Sequence, residues 1–344
     1  MARSPGVMAP HNLQGWLPID AVVADGRPGL LWMSMAGVEL AEPFFQQTVD
    51  RLRSELPTRE ERFTEFDALV QLEKEFESVP PSGFIFHSSR CGSTLLANAC
   101  RAIDSTIVLS EPPAVDKLVA RFITDVDEHK TKELLYSIFL RATVAALGQR
   151  RTGNERHLFI KFACCSVSQI ERIRRIWPDV PWVFLYRDPV ETIVSNMQNV
   201  PAWLQDEDHR VLASIIDATC AEIAEMSKEE LCARSIGAFF TTAHRVANER
   251  ALLLNYKQLS PAEVSTSLKF FGVSPTAAEM ETIALQAHVY SKATPAAARS
   301  FVADTAAKQQ LATDFIREMA ARWANKPYQL LEQKVGELNK HDVI

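Results

Sequence analysis

The sequence is poor in the features that mark membrane, secreted and nucleic-acid-binding proteins. Among its 344 residues, no apolar run approaches the ~18 residues that a membrane-spanning helix needs. The first residues, Met1 to His11, lack the apolar stretch of a secretory signal. With 37 Lys and Arg against 43 Asp and Glu, the net charge of −6 argues against a broad basic face. These absences predict a cytoplasmic chain with no membrane span and no nucleic-acid partner.

Patterns for metal ions and disulfides are also missing. The six cysteines contain no CxxC pair, and the eight histidines contain no HxxxH spacing. We therefore expect reduced thiols and no metal site. The negative net charge does not exclude a small anionic ligand, because a few local cations can bind one inside an acidic protein.

The chain changes character at a Pro- and Gly-containing break near residue 81. In residues 1–80, Trp and Leu are scattered among Pro and Gly. The apolar residues of Glu42 to Leu56 have the spacing of an amphipathic helix. We predict a mostly helical N-terminal extension for 1–80, on the acceptor side of any site. For 81–344 we predict one α/β domain with a helical insertion at about 190–248 and a helical tail.

Short apolar runs alternate with helical patterns after the break. Continuous apolar strands separated by helices are typical of a parallel central sheet that helices cover on both faces. The predicted strands are Phe84–Phe86, Thr106–Leu109, His157–Ile160, Trp182–Tyr186 and Ala251–Leu254.

A polar turn follows the first of these strands and leads into a helix. It contains four hydroxyl residues, one glycine and Arg90, so backbone N–H groups and the positive end of the helix converge on one point. This geometry suits a phosphate or a sulfate. A Walker A loop would need a Lys directly after Gly92, and Ser93 stands there instead, which disfavours ATP hydrolysis.

The turn resembles the 5′-phosphosulfate loop of sulfotransferases that use 3′-phosphoadenosine-5′-phosphosulfate (PAPS). The resemblance implies a P-loop-like sulfotransferase fold and no metal. It places Arg90 beside the transferred group, and it puts Leu95 where some members stack a Trp on adenine. The residues implied to bind the donor here are Ser89, Arg90, Cys91, Gly92, Ser93, Thr94 and Leu95.

A second candidate anion site follows the fourth strand. Arg187 ends the strand, and Ser195 lies eight residues later in the next helix, so both can converge on one anion. A local ion pair at a helix start is the alternative interpretation. The pair is similar to the 3′-phosphate motif of the same family. Among Lys292, Arg299 and Lys308 in the C-terminal stretch, we favour Arg299 as the cation that covers this phosphate.

Two further strand ends resemble the family. Lys161 matches a Lys that contacts the sulfuryl or bridging oxygens, but Ala163 stands where cytosolic members have a catalytic His. Tyr256, at the end of the late strand, is expected near adenine, although a buried strand Tyr is nearly as good an interpretation.

The resemblance implies sulfuryl transfer from PAPS to a hydroxyl, or alternatively an amine, of a small molecule or conjugate, with adenosine 3′,5′-bisphosphate (PAP) as product. We expect Glu111, at the end of the second strand, to be the general base. His87, at the loop entrance, is the second candidate for that role. Two alternatives remain: a catalytically silent PAPS- or PAP-binding protein, and a nucleotide kinase or other phosphate-handling enzyme.

Overall fold

The computed structural model describes residues 6–7, 13–72, 76–124, 129–287 and 304–341. Arg299, the predicted C-terminal cation, lies outside these residues. Among the described helices, none combines the length and the hydrophobicity that crossing a bilayer requires.

The N-terminal segment contains a small mixed sheet and two helices. Its elements are β1 (Gly6–Val7), β2 (Trp16–Ala24), β3 (Arg27–Ser34), α1 (Phe45–Glu55), β4 (Glu61–Glu65) and α2 (Phe66–Leu72), and the sheet order is β1-β4-β3-β2.

The expectation of a mostly helical segment is wrong for these residues, because β2 and β3 form an antiparallel hairpin. Its two-residue turn is Asp25-Gly26, with φ of 50° and 76°. An Asp-Gly pair between two apolar runs is a strong hairpin signal, since both positions need positive φ. This sheet packs on the main domain, where Asp20 pairs with Lys117 at 2.7 Å.

The main domain alternates strands and helices as the sequence predicts. Its elements are β5 (Pro81–His87), α3 (Ser93–Arg101), β6 (Thr106–Ser110), α4 (Pro113–Thr124), α5 (His129–Leu147), β7 (His157–Lys161), α6 (Ile170–Ile176), β8 (Trp182–Tyr186), α7 (Pro189–Gln198), α8 (Arg210–Ile216), α9 (Cys220–Glu225), α10 (Lys228–Val246), β9 (Ala251–Asn255), α11 (Pro261–Phe270), α12 (Ala277–Ala287), α13 (Thr305–Leu311), α14 (Asp314–Trp323) and α15 (Asn325–His341). The sheet order is β6-β7-β5-β8-β9, and every neighbouring pair is parallel. The predicted α/β fold class is confirmed.

Burial on both faces explains the continuous apolar strands. In β5, Phe84 and Phe86 belong to one hydrophobic cluster and Ile85 belongs to the other, as the two-residue period of a strand requires. Helix α3 covers one face, where it contacts β5, β6 and β7. Helix α10 covers the other, where Phe240 meets Tyr186 at a ring distance of 6.1 Å.

The order of the strands places a crevice at the carboxyl edge of β5. The chain continues from β5 to strands on one side and later crosses to β8 and β9 on the other. Ligands of open α/β sheets bind at such a reversal, beyond the carboxyl ends of the strands. The residues that follow β5, β6 and β8, and the last residue of β7, therefore meet at one site.

Candidate functional site

The loop after β5 has a strained backbone. Ser89 and Arg90 have φ of 74° and 52°, and Gly92 has φ of 82°. A Cβ on Gly92 would lie 2.4 Å from Cδ2 of Leu259 and 3.2 Å from Cδ2 of Tyr256. Helix α3 starts directly afterwards at Ser93. The loop therefore brings the N-terminus of α3 close to the crevice, as an anion cradle requires.

Arg187 and Ser195 form a second cluster at the end of β8 and within α7. The Arg187 side chain is only 3% exposed and pairs with Glu191 at 2.7 Å and with Asp304 at 2.8 Å. Its guanidinium lies 4.1 Å from the centre of the Tyr256 ring. Burial alone would lower the pKa of Arg187, but the bonds to Asp304 and Glu191 raise it.

Helix α13 adds a cation to this cluster that the sequence ranked behind Arg299. Lys308 Nζ donates to Ser195 Oγ at 3.0 Å and forms an ion pair with the carboxylate of Asp304. Asp304 thus bridges Arg187 and Lys308. Its carboxylate lies between these two cations, and Lys308 also bonds Ser195.

Glu111 and Lys161 form a partly buried ion pair at the ends of β6 and β7. The Lys161 side chain is 1% exposed and that of Glu111 is 29% exposed. Burial would raise the pKa of Glu111, but the Lys161 charge and the hydrogen bond from His87 hold that pKa below its usual range. The aromatic ring of Phe44, from the N-terminal segment, lies 4.8 Å from Lys161 Nζ.

The hydrogen bonds of His87 fix which of its ring nitrogens carries the proton. Its Nδ1 accepts the backbone N–H of Ser89 at 3.1 Å, so in the neutral ring Nε2 is protonated. Nε2 lies 3.3 Å from Oε1 of Glu111 and faces it as a donor. This arrangement makes His87 a partner of Glu111 and leaves its Nε2 without the lone pair that a base needs.

The structure gathers most predicted site residues around one cavity of about 380 Å³. Leu95 is half-buried in α3 and does not line this cavity. The predicted residues that line it are His87, Ser89, Arg90, Cys91, Gly92, Ser93, Thr94, Glu111, Lys161, Arg187, Ser195 and Tyr256. Their roles stay predictions.

Other lining residues were missed because no local motif marks them. Phe44 comes from the segment before the α/β domain, and Pro201, Ala202 and Trp203 follow α7. Asp304 also lines the cavity. A weak signal existed for Phe44, since the helix predicted over Glu42–Leu56 begins with two adjacent phenylalanines on its apolar side.

A scan against protein-family models finds no match, and a search of curated proteins finds none. Solved structures similar to the chain include a sulfotransferase domain from the curacin biosynthetic pathway, at 13% identity and a TM-score of 0.42, covering 72% of this chain and 98% of that one. A sulfotransferase from Alicyclobacillus acidocaldarius is 15% identical, with a TM-score of 0.38, and the match covers 75% of this chain and 96% of that one. Sulfotransferase STF1 from Mycobacterium tuberculosis H37Rv is 13% identical, with a TM-score of 0.39, and the match covers 74% of this chain and 81% of that one.

These similar structures are sulfotransferases, the family that the two anion motifs of the sequence resemble. At such identities and TM-scores, the likeness assigns no function to this chain.

Proposed function

We propose that the chain transfers a sulfuryl group from PAPS to the hydroxyl of an acceptor. The observation that carries this proposal is the meeting of two anion clusters and a Lys161–Glu111 pair around one cavity. A donor with phosphates at both ends and a reactive centre at one of them fits that arrangement.

The residues present fit such a donor at both ends. The loop amides, Arg90, Ser93 and Thr94 would hold its 5′ phosphosulfate at the N-terminus of α3. Arg187, Ser195 and Lys308 would hold its 3′-phosphate, at the position that the Asp304 carboxylate takes in the free protein. Tyr256 borders both clusters and would contact the adenosine between them.

PAPS, when bound, supplies a sulfuryl group on a good leaving group. In the proposed reaction the acceptor oxygen forms a bond to sulfur, while the bond from sulfur to the 5′-phosphate oxygen breaks. The leaving electron pair stays on PAP, where Arg90 and Lys161 stabilise the charge. As in phosphoryl transfer, the protein contributes mainly positioning and charge stabilisation.

Glu111 is the proposed acceptor of the hydroxyl proton. It is ionised, it reaches the cavity, and it lies beside Lys161, which contacts the transferred group in this scheme. It lies directly after the last residue of β6, with a φ of 51°. The protonated Nε2 of His87 serves better as a donor that orients Glu111 than as a competing base.

The test is Glu111→Gln, which keeps the size of the side chain and removes its basicity. General-base catalysis contributes about 10²–10⁴-fold, so transfer should fall by that factor while PAP binding changes little. Transfer is measured from PAPS across a panel of alcohols, and binding by a PAP-dependent thermal shift. His87→Gln is the matched control and should retain most of the transfer.

Near-normal transfer by Glu111→Gln would remove the base role. Failure of the wild-type protein to bind PAP would overturn the proposal as a whole.

One observation favours a second candidate, a protein that binds PAPS or PAP without transferring the sulfuryl group. Ala163 lines the cavity where family members carry a catalytic His, and it cannot accept a proton. Tight PAP binding by the wild type with no transfer to any alcohol or amine would select this candidate.

A further inference from the structure

Two consecutive residues of the phosphate loop hold a backbone conformation that side chains disfavour. Ser89 and Arg90 both have positive φ, a strained conformation that persists only where surrounding contacts enforce it. Arg90 is also a residue whose position matters for the proposed chemistry.

Asn196 in α7 is the side chain that contacts both strained residues. Its Oδ1 accepts the hydroxyl of Ser89 at 3.0 Å and Nε–H of Arg90 at 3.3 Å. The carbonyl of Asn199, just past the end of α7, accepts a hydrogen bond from Nη2 of the same arginine. One helix therefore anchors two sides of the Arg90 guanidinium.

The orientation of the Asn196 amide follows from its partners. An arginine Nε can only donate, so the group facing Arg90 must be the amide oxygen. The other end, Nδ2, donates to Cys232 Sγ in α10 at 3.3 Å. Asn196 is 0% exposed, so water cannot reach its amide. The hydrogen bonds to its protein partners therefore satisfy the donor and acceptor of the buried amide.

The same helix carries the second anion cluster. Ser195, the residue before Asn196, accepts from Lys308, and Arg187 Nη1 donates to the Arg90 carbonyl at 3.5 Å. Neighbouring residues of a helix point about 100° apart. Ser195 can thus face the 3′-phosphate cluster while Asn196 faces the 5′ loop.

We propose that Asn196 is a positioning residue that sets Arg90 at a fixed separation from the 3′-phosphate cluster. This inference rests on the proposed function. Asn196 touches neither the donor nor the acceptor; it acts through Ser89 and Arg90, and it matches the spacing of the two anion clusters to one donor.

The test is a double-mutant cycle between Asn196→Leu and Arg90→Ala, in which the rate of single-turnover transfer is measured for each variant. Leucine is close in size and offers no acceptor, so Asn196→Leu should lower the transfer rate about 30-fold or more. In the Arg90→Ala background the same change should have less than about a threefold effect, because its target is gone. The affinity for adenosine 3′-phosphate should stay within about threefold, since Arg187, Ser195 and Lys308 remain.

Cys232→Ala is the control, because it removes the sulfur at the other end of the amide and should leave the transfer rate within about threefold. If the leucine variant fails to fold, Asn196→Ala takes its place in the cycle. Equal losses of rate in both backgrounds would overturn the inference, since they would show a general structural role. An inactive wild type that does not bind PAP would instead indicate failure of the proposed function.

Discussion

Asp304 is the residue whose removal should improve binding of the proposed donor. In the free protein its carboxylate pairs with Arg187 and Lys308, the two cations that would hold the 3′-phosphate. A phosphate entering this cluster has to displace the carboxylate and then tolerate a negative neighbour. Asp304→Asn removes the charge and keeps the size, while Arg187 keeps its other partner, Glu191.

The size of the effect follows from the exposure of the groups. Asp304 is 41% exposed, so its two ion pairs are treated as surface pairs, each of which contributes about 0.2–1 kcal/mol of stabilisation. Nearly complete burial of Arg187 favours the upper part of that range. Together the pairs cost an incoming phosphate about 1–2 kcal/mol, so Asp304→Asn should tighten PAP binding about 5- to 30-fold.

Isothermal titration calorimetry with PAP and with adenosine 5′-monophosphate tests this reasoning. PAP should bind more tightly to Asp304→Asn than to the wild type, and the monophosphate, which lacks the 3′-phosphate, should bind equally to both. Asp314→Asn, which removes an exposed charge from α14, is the matched control and should change neither. Unchanged or weaker PAP binding would refute the reasoning, because Asp304 would then order the two cations without competing for them.

Two further substitutions test the loop after β5 and the first turn of α4. Gly92→Ala should lower the free energy of unfolding by about 1–3 kcal/mol more than Gly272→Ala, because both positions have positive φ but only a Cβ at Gly92 would clash with a neighbour; equal losses in urea would contradict the predicted clash. Burial and the nearby charge of Glu111 raise the pKa of Asp116 from 3.8 to about 7. The folded protein then holds this proton more tightly than the unfolded chain, so stability falls as the pH rises from about 4 to about 7. Asp116→Asn should lose less stability than the wild type between pH 5 and pH 8, and identical losses would rule out Asp116 as the source.

Local patterns were sufficient to predict the sheet and the two anion motifs. Each core strand is a short apolar run, and each motif lies within about ten residues, next to its strand. Parallel strands bring their carboxyl ends to one edge whatever their order along the chain. Glu111 and Lys161 could therefore be expected at the same crevice, although only the structure shows them as an ion pair.

Contacts between distant parts of the chain carry little local signal, and Lys308 is a candidate only through the family resemblance, behind Arg299. Lys308 and Asp304 lie more than 100 residues after Arg187, and nothing in their own sequence places α13 on α7. Asn196 has no signal beyond its position next to Ser195. The N-terminal sheet is different, because the Asp25-Gly26 turn is a local hairpin signal that the prediction of a mostly helical segment leaves out.

The acidic composition of the chain is compatible with an anion site because the cations of the site already have carboxylate partners. Arg187 and Lys308 share Asp304, and Lys161 pairs with Glu111. In the proposed reaction the donor takes over these contacts. Its 3′-phosphate replaces the Asp304 carboxylate, and its transferred group contacts Lys161. Burial raises the pKa of Glu111, and the Lys161 charge together with His87 lowers it, so sharing the Lys161 charge with the donor should raise this pKa and make Glu111 a stronger base. Proton removal from the acceptor is then favoured only after the donor is in place.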